Sequence, residues 1–519
     1  MIIGNKKYIL LTVILCVSLF LRIYDLSDES IWIDEGWSMR FAKLKIADIF
    51  FLKDTNPPLY YLFLHGWMNW FGDSEFSIRL PSAIFAFLSV TMIYKVGVQL
   101  FNKEVGLLSA LMLGLSAFHI YYSQEARAYS LLVLLTLLSM YFFIRFFRQE
   151  DYRTLVQYIF FSILLMYSHI YGAFIIFGQN IYFFTKIFLS KEMDRLRLRR
   201  WVLSQLVLVS VFALWLPVLF STVSESQNGF HKDFLWTLCM PRPSIKTLID
   251  SVIEYSGLSL FFPYILLALF SIMTCEKIGE SGREKNLFRS VENCQWKVRL
   301  SEVDKIYLLW IWMLSPIIVP FIISRVSVSF YKVRYTIPAA IAFYLLVARG
   351  INNIRHNRLK IITIAIVVIF SSVYVVKYYV RVTKEPWRDI AGYVDARAED
   401  MDIILFNRGL CQELLFDYYS KNPGLVKSAF PKETRFVNEE NIKELGPVVK
   451  GYNRVWVILS HTGDRKGLIV RTLGQSHNLS CHKRYRDKGI DIYIFETAGI
   501  KRGLAVSAGL RKPERFGPE

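Results

Sequence analysis

The stretch "YILLTVILCVSLFLRIYDLSDESIWIDEGWS" (Tyr8 to Ser38) joins an apolar run to an acidic loop. The run, Tyr8–Tyr24, is near the length that crosses about 30 Å of hydrocarbon. Two lysines precede it and no small-residue cleavage site follows, so it predicts an uncleaved membrane anchor. Beyond it, the carboxylates Asp34 and Glu35 stand side by side between two tryptophans.

The rest of the chain repeats the apolar pattern of this first run. Of its 519 residues, 54% are hydrophobic and 16% aromatic, which favours a membrane protein over a set of soluble domains. The hydropathy criterion predicts about eleven transmembrane helices in an α-helical polytopic fold. The predicted spans are Tyr8–Tyr24, Pro81–Phe101, Val105–Tyr122, Tyr129–Phe147, Leu155–Ser168, Gly172–Leu189, Trp201–Val223, Leu258–Cys275, Ile306–Ser324, Thr336–Ala348 and Ile361–Val380.

The chain has a net charge of +19, and its basic residues are distributed as the predicted topology requires. Basic clusters fall between apolar runs, for example at residues 191–200 and 349–360, as is typical of cytoplasmic loops. We therefore interpret the charge as a topology signal and expect no nucleic-acid partner. Phosphate-loop and dinucleotide fingerprints are also missing from the sequence. Alternation of the spans predicts a multi-pass protein of the plasma (inner) membrane, with a cytoplasmic N-terminus and an extracytoplasmic C-terminal domain.

Three parts of the chain are predicted. Residues 1–380 form a transmembrane catalytic domain with outer loops at residues 25–80 and 224–257. Residues 381–500 form a small extracytoplasmic α/β domain, and residues 501–519 form a disordered tail. The α/β prediction rests on three strand patterns and one helix pattern, which are Asp402–Asn407, Arg454–His461, Ile490–Glu496 and Cys411–Ser420.

The first outer loop combines predicted interfacial helices with basic residues. An amphipathic helix is predicted over Ser38–Phe50, and a second one, capped by Asn56, over Asn56–Gly72. Basic side chains on the outer side oppose the positive-inside tendency. Attraction to anionic headgroups and binding of a lipid phosphate both remain open as reasons for them. The basic residues of this loop are Arg40, Lys43, Lys45, Lys53 and Arg79.

Acidic residues in two outer segments are the first candidates for chemistry. A carboxylate such as Asp34 or Glu35 can act as a general base or coordinate a divalent cation. Alternatively, both acids are solvated or cap a helix. The outer turn "YYSQEARAYS" (Tyr121 to Ser130) brings Glu125 and Arg127 to the same face, where they could also form a simple ion pair.

Two further motifs on the outer side contain a histidine and a pair of cations. His169 in "YSHIYG" is either a hydrogen-bonded structural residue or part of a cavity. Lys332 and Arg334 in "FYKVRYTIP" are either interface anchors or phosphate ligands, because a guanidinium can bond two oxygens of one phosphate.

The order of "WIDEGWS", "TNPPLYYLFLHGWMNWFGDSEFSIRLPS", "YYSQEARAYSLL" and "YSHIYG" resembles the membrane glycosyltransferases of the GT-C fold. It is most similar to glycosyltransferase family 39, which includes protein O-mannosyltransferases and the aminoarabinose transferase of lipid A. The similarity is strong over residues 8–190, looser through "VRYTIP" and "EPWRDIAGYV", and fades in the tail. Asn56 departs from the pattern, since many relatives have histidine there.

The resemblance implies a hexosyl- or pentosyltransferase whose donor is a sugar on a polyprenyl phosphate. Asp34 and Glu35 match the family's acidic pair and Glu125 its second acidic position, with Asp34 as the first choice for the base. Metal dependence differs within the family, so a divalent cation stays open as a cofactor. The acceptor is a lipid, a glycan or a protein. Lys332, Arg334, Arg127 and Lys53 are the expected ligands of the donor phosphate, and His169, Tyr122 and Trp37 the expected residues of the substrate cavity.

Three alternatives share some of these features. A flippase or exporter of lipid-linked sugars would also present basic residues to phosphate, but would place functional charges along a central cavity. A ligase that transfers a whole glycan would use the same outer-face chemistry. A non-catalytic assembly subunit would tolerate replacement of Asp34 by asparagine.

Overall fold

The computed structural model divides the chain into two compact units, Met1–Lys384 and Glu385–Glu519, close to the predicted boundary after residue 380. Each unit is described by itself. The structure describes residues 2–52, 54–149, 151–189, 195–227, 241–277, 296–300, 302–381, 383–407, 409–432, 436–460, 462–464, 466–485 and 489–497.

Helices make up most of the first unit, and a short antiparallel hairpin of β1 (Met273–Lys277) and β2 (Trp296–Leu300) interrupts them. In chain order the helices are α1 (Ile2–Ile23), α2 (Ile33–Ala42), α3 (Ile46–Phe50), α4 (Leu59–Phe71), α5 (Glu75–Leu100), α6 (Lys103–Gly114), α7 (Ala117–Ser123), α8 (Tyr129–Gln149), α9 (Tyr152–Ser168), α10 (Gly172–Leu189), α11 (Arg195–Ala213), α12 (Leu216–Gln227), α13 (Ile245–Ser256), α14 (Phe261–Phe270), α15 (Val303–Val326), α16 (Ile337–Asn353) and α17 (Asn357–Val380).

Six of the described helices are long and apolar enough to cross a membrane, or up to nine spans if each bent helix pair counts as one, by length and composition alone. The straight ones are α5, α8, α10, α15, α16 and α17. The predicted number of about eleven is higher because it included α1 and α9, which are not among these nine. The predicted separation of α9 from α10 is confirmed, with the break at residues 169–171.

Two predicted spans are bent: the α6–α7 pair by 61° and the α11–α12 pair by 47°. In a third pair, α13, which lies in the predicted outer loop 224–257, meets the helical segment Leu258–Phe270 at 96°. The α6–α7 break is held by Arg22 of α1, whose buried guanidinium donates to the carbonyls of Leu113 and Gly114 and contacts Nδ1 of His119. Because the last carbonyls of a helix lack intrahelical partners, this arginine satisfies them inside an apolar environment. The bend directs α7 towards the loop that contains Glu125.

The close crossing of α5 and α6 depends on glycine. A Cβ atom built on Gly97 would lie 2.7 Å from the Cα atom of Gly106, so no larger residue fits without a shift of backbone. Small residues allow this kind of approach between helices of a membrane protein, where packing rather than hydrophobicity drives association.

The outer loop differs in detail from its prediction. The single helix predicted over Ser38–Phe50 is wrong, because α2 already begins at Ile33 and a break separates it from α3. Asn56 does not cap α4, since its side chain donates to Asp54 and Pro58 occupies the N-cap position. Large apolar side chains such as Trp70 and Phe51 are 85% and 71% exposed, as an interfacial segment requires.

The second unit is a small α/β fold. Its helices are α18 (Trp387–Asp395), α19 (Gly409–Tyr419), α20 (Leu445–Val449) and α21 (Leu468–Ser476), and its strands are β3 (Asp402–Phe406), β4 (Val426–Ala429), β5 (Arg454–Ser460), β6 (His477–Tyr485) and β7 (Ile490–Thr497).

The strand order of this sheet is β4-β3-β5-β7-β6, with parallel pairing of β3 to β4 and β5 and antiparallel pairing of β7 to β5 and β6. The three predicted strands and the predicted helix are confirmed. β4 and β6 were not predicted, because they are edge strands whose side chains are partly or fully exposed and lack an apolar pattern.

Candidate active site

Two acidic side chains enter the site from the first turn of α2. The helix begins at Ile33, so Asp34 and Glu35 occupy its N-terminus, where the helix dipole favours negative charge. A carboxyl oxygen of Glu35 also accepts a hydrogen bond from the backbone N–H of Trp32, 3.4 Å away. Consecutive positions on a helix point in different directions, and the two acids therefore meet different partners.

Glu35 is fully buried and bonded on both oxygens. Nε and Nη2 of Arg79 donate to it at 2.8 and 2.7 Å, and the backbone N–H of Ala126 donates at 3.0 Å. Nζ of Lys384 lies 3.3 Å from its Oε1. Burial alone would raise the pKa of Glu35, but the charges of Arg79 and Lys384 and these hydrogen bonds lower it to about 2. A carboxylate held in this way is a poor proton acceptor.

Arg79 is one of the basic residues of the first outer loop, and its contacts give the reason for its position. The sequence left headgroup attraction and lipid phosphate binding open for it, but its guanidinium is 1% exposed and pairs with Glu35. Its remaining donors bond the carbonyls of Leu26, Glu29 and Ser30. Arg79 therefore fixes the loop between α1 and α2 and so places the N-terminus of α2.

Lys384 is a site residue that sequence reasoning missed. Its side chain is 3% exposed, and Nζ donates to the carbonyl of Gln124 at 2.6 Å as well as contacting Glu35. Burial lowers its pKa, against the raising effect of Glu35. The only sequence signal was a lysine before "EPWR", 349 residues from Glu35 and 260 from Gln124. It connects the loops that contain Glu35 and Glu125.

Glu125 has an environment opposite to that of Glu35. It is 0% exposed, and its carboxyl group interacts with the hydroxyl of Tyr121, although by strict geometry neither oxygen has a hydrogen-bond partner among the described residues. Burial raises its pKa to about 7, although the charges of Lys384 and Arg334 act to lower it. Two buried carboxylic acids at one site thus differ in protonation near neutral pH.

Asp34 is the partly exposed acid of the cluster, although its Oδ2 is buried. Nη2 of Arg334 is 2.9 Å from its Oδ2, and the two side chains are 18% and 22% exposed. Arg127 donates to the backbone carbonyl of Asp34 at 3.2 Å and to Oγ of Ser38 at 3.3 Å. The structure therefore brings Asp34, Glu125, Arg127 and Arg334 together from three separate segments.

The other predicted site residues surround this cluster. His169 is buried with its ring 4.8 Å from that of Tyr335, and Lys332 lies 5.7 Å from the ring of Tyr335. Tyr122 packs between Phe118 and Tyr129. Trp37 packs on Phe41, on the outer loop side of α2. Lys53 lies outside the described residues.

Binding of a divalent cation requires several donor side chains that converge on one point. Within the described ranges, no group of three or more histidine, cysteine or acidic side chains is arranged to hold a metal ion. Glu35 is already bonded to cations, and Asp34 is paired with Arg334, so these residues do not form a preassembled metal site.

Glu125 should make stability depend on pH. A carboxyl group whose pKa is raised to about 7 in the folded protein stabilises that state below its ordinary pKa of 4.5, and this contribution is lost as the pH rises through 7. We expect the unfolding temperature of the detergent-solubilised protein to fall from pH 5 to pH 8. Glu125→Gln should remove this part of the decline, whereas Glu104→Gln, at an exposed acid, should retain it. Equal slopes in wild type and Glu125→Gln would contradict the assignment.

Known proteins are similar to this one in fold and, over part of the chain, in sequence. Residues 55–220 match the sequence model of the family described as dolichyl-phosphate-mannose-protein mannosyltransferase. No curated protein matches the chain by sequence.

Solved structures match over most of the chain. ArnT from Cupriavidus metallidurans bound to undecaprenyl phosphate is 12% identical, with 93% of this chain and 97% of that chain covered and a TM-score of 0.59. The oligosaccharyltransferase of Archaeoglobus fulgidus in complex with Zn and sulfate is 12% identical, with 86% and 67% covered and a TM-score of 0.51. The predicted resemblance to membrane glycosyltransferases of the GT-C fold is confirmed, and the fold is that of a multi-pass membrane protein.

Proposed function

We propose that this protein transfers a hexose or pentose from a polyprenyl-phosphate donor to an acceptor hydroxyl at the outer face of the membrane, with inversion at the sugar carbon. The observation that carries this proposal is the contrast between three acids at one site. Glu35 is locked by cations, Glu125 is buried and easily protonated, and Asp34 is accessible and held beside Arg334.

The charge of the cluster suits an anionic leaving group. With every group ionised, four cations face three carboxylates, and protonation of Glu125 increases the excess positive charge. Positive charge positioned at a departing phosphate stabilises the charge that develops there. The groups counted are Arg79, Arg127, Arg334 and Lys384 against Asp34, Glu35 and Glu125.

In the proposed reaction, the acceptor oxygen attacks the anomeric carbon as its proton passes to the carboxylate of Asp34. The bond between that carbon and the phosphate oxygen breaks, and the electron pair leaves with the polyprenyl phosphate. One displacement of this kind inverts the configuration. Asp34 is the preferred base because Glu35 is bonded on both oxygens and Glu125, whose pKa is raised to about 7, is only partly ionised at neutral pH.

Glu125 is better placed than Glu35 to orient the acceptor. In its neutral form it offers one O–H donor and an acceptor oxygen, and Tyr121 is the described neighbour whose hydroxyl interacts with it. An acceptor hydroxyl could bond to it while Asp34 removes the proton.

Arg334 has two proposed roles. It holds Asp34 in position, and its guanidinium can bond the donor phosphate, with Lys332 beside it on the same turn. The likeness to ArnT, whose structure contains undecaprenyl phosphate, supports a polyprenyl phosphate as the carrier. We further propose a plasma-membrane location with a cytoplasmic N-terminus and an extracytoplasmic C-terminal unit.

Replacement of Arg334 should affect both binding and chemistry. We expect Arg334→Lys to raise the donor KM and to lower kcat about 10²-fold or more, since a single ammonium cannot reproduce the fork of the guanidinium. Steady-state kinetics with a lipid-linked sugar would measure both. Arg325→Gln, at an exposed arginine on α15, is the matched control and should change neither. Full activity of Arg334→Lys would contradict the role of Arg334.

Transfer can be separated from translocation in one experiment. Purified protein is reconstituted into vesicles containing a polyprenyl-phosphate sugar and supplied with candidate lipid, glycan and peptide acceptors. Release of polyprenyl phosphate together with a glycosylated acceptor is the expected result. Movement of the intact donor across the bilayer without release would favour a flippase instead.

A further inference from the structure

The segment between α17 and the end of the first unit lies against the acidic cluster. α17 ends at Val380, and Lys384 is the last residue of this unit. The backbone N–H groups of Thr383 and Lys384 both donate to Oε1 of Glu29, and Oγ1 of Thr383 donates to its Oε2 at 2.7 Å. Three hydrogen bonds to one carboxylate fix the backbone from which the side chain of Lys384 extends.

The ammonium of Lys384 joins two parts of the cluster. It donates to the backbone carbonyl of Gln124 at 2.6 Å and to Oε1 of Glu35 at 3.3 Å. The carbonyl of Gln124 belongs to the peptide bond that leads into Glu125. Because the side chain of Lys384 is 3% exposed, water cannot replace these contacts, and the charge is costly to bury without them. Lys384 therefore ties the turn that carries Glu125 to the N-terminus of α2.

The side chain of Gln124 anchors the same turn a second time. Gln124 is 4% exposed, its amide nitrogen donates to the carbonyl of Tyr24 at 2.7 Å, and its Oε1 accepts from the hydroxyl of Tyr378 at 2.5 Å. Tyr24 directly follows α1, and Tyr378 lies in the last turn of α17. Since neither hydrogen bond involves a charged group, a change at Tyr378 loosens the turn without removing a charge.

Lys384 also acts on Glu125 through its charge. Burial raises the pKa of Glu125 to about 7, and the charge of Lys384 opposes this rise more than that of Arg334, which is paired with Asp34. The charged groups that interact with Glu125 are Lys384, Arg334, Glu35 and Asp34. The tyrosines that do so are Tyr60, Tyr121, Tyr122 and Tyr378. Lys384 is thus the cation whose loss should affect Glu125 most.

Removal of this charge should leave Glu125 protonated to higher pH. Burial would then be opposed chiefly by Arg334, so the carboxyl group would ionise less readily. Glu35 should stay ionised, because Arg79 still donates to both of its oxygens. The neutral form of Glu125 is the one proposed to orient the acceptor. The charge of Lys384 therefore sets the pH above which that form is lost.

We propose that Lys384 is a positioning residue of the transfer reaction, whose ammonium holds the turn of Glu125 against Glu35 and whose charge sets the upper pH limit of catalysis. The inference rests on the proposed function and adds to it a residue that acts through Glu125 rather than on either substrate. Its role has two separable parts, the position of the turn and the protonation of the acid that the turn carries.

The first test follows the protonation of Glu125 directly. The infrared C=O absorption of the protonated carboxyl group is titrated in the full-length protein in detergent, and its loss in Glu125→Gln assigns it. Lys384→Met should move the midpoint up by about one pH unit, whereas Lys384→Arg, which keeps the charge, should leave it in place. Lys377→Met, at an exposed lysine on the last turn of α17, is the control and should match wild type.

Enzyme kinetics provide the second readout. The kcat for sugar transfer should fall with rising pH as Glu125 ionises, and Lys384→Met should move this decline up by about one pH unit. Misplacement of the turn should also lower its kcat at pH 6 about tenfold or more. The deficit should be about fivefold smaller at pH 8, because more of the variant keeps a neutral Glu125 there. Tyr378→Phe should lower kcat without moving the decline, since it removes no charge.

An unmoved infrared midpoint in Lys384→Met, or an unmoved decline of its kcat, would overturn the proposal and leave Lys384 with a structural role only. If Lys384→Met does not fold, Lys384→Arg decides, because a midpoint that shifts although the charge is kept would equally overturn it. A wild type that transfers no sugar would overturn the proposed function, while the infrared titration would still decide whether Lys384 controls Glu125.

Discussion

Asp34→Asn is expected to lower kcat for sugar transfer about 10²- to 10⁴-fold, the usual contribution of a general base. The amide keeps the size of the side chain but cannot accept the acceptor's proton. Donor binding should change little, because Arg334 remains available for the phosphate. Initial rates of polyprenyl phosphate release, measured for wild type and variant at saturating donor, check the prediction.

The control for this variant is Asp48→Asn. Asp48 is an exposed acid on α3 in the same outer loop and should tolerate the change with full activity. Asp34→Asn should also unfold at the wild-type temperature within a few degrees, because the side chain is 22% exposed. A rate close to that of wild type would exclude Asp34 as the base.

Glu35→Gln is expected to lower the free energy of unfolding by about 3–5 kcal/mol, because it leaves two buried cations without their anion. Arg79 and Lys384 are 1% and 3% exposed at their side chains, and neither can reach water to recover its hydration. Denaturant unfolding in detergent, followed by intrinsic fluorescence, measures the change. Loss of activity would accompany it through misplacement of α2.

A surface ion pair provides the comparison for this second variant. Lys43 and Asp73 lie 2.7 Å apart but are about half exposed, so Asp73→Asn should cost less than about 1 kcal/mol. The double variant Glu35→Gln with Arg79→Gln should cost less than the sum of the two single changes, since each single change leaves an uncompensated charge. Additive losses would show that the two side chains are not coupled.

Much of the fold was predictable because hydropathy and helix length are local properties. The α9–α10 break follows from the length of the combined apolar run, which is too long for one span. The strands β3, β5 and β7 and the helix α19 follow from periodicity over short windows. The early start of α2 was not predictable in this way, since it depends on Glu35 meeting Arg79 and Ala126, which belong to other segments. The bend between α6 and α7 likewise depends on Arg22 of α1.

The acidic residues of the candidate site could be predicted from the sequence, whereas not all of its cationic residues could. "WIDEGWS" and "YYSQEARAYS" stood out because acids at a membrane exit need a reason. The sequence favoured Asp34 over Glu35 as the base, but the physical difference between them, burial and the pairing of Glu35 with Arg79, is visible only in the structure. Lys384 could not be predicted as a site residue, because its partners are distant in the chain and a single lysine forms no periodic pattern.

Sugar transfer with Asp34 as the base is tested by the release of undecaprenyl phosphate from undecaprenyl-phosphate sugars by the purified protein in the presence of an acceptor. We expect wild type to release undecaprenyl phosphate and glycosylated product in equal amounts, and Asp34→Asn to do so at a rate about 10² or more times lower. Product formation at the wild-type rate by Asp34→Asn, or no release with any of these donors, would contradict it.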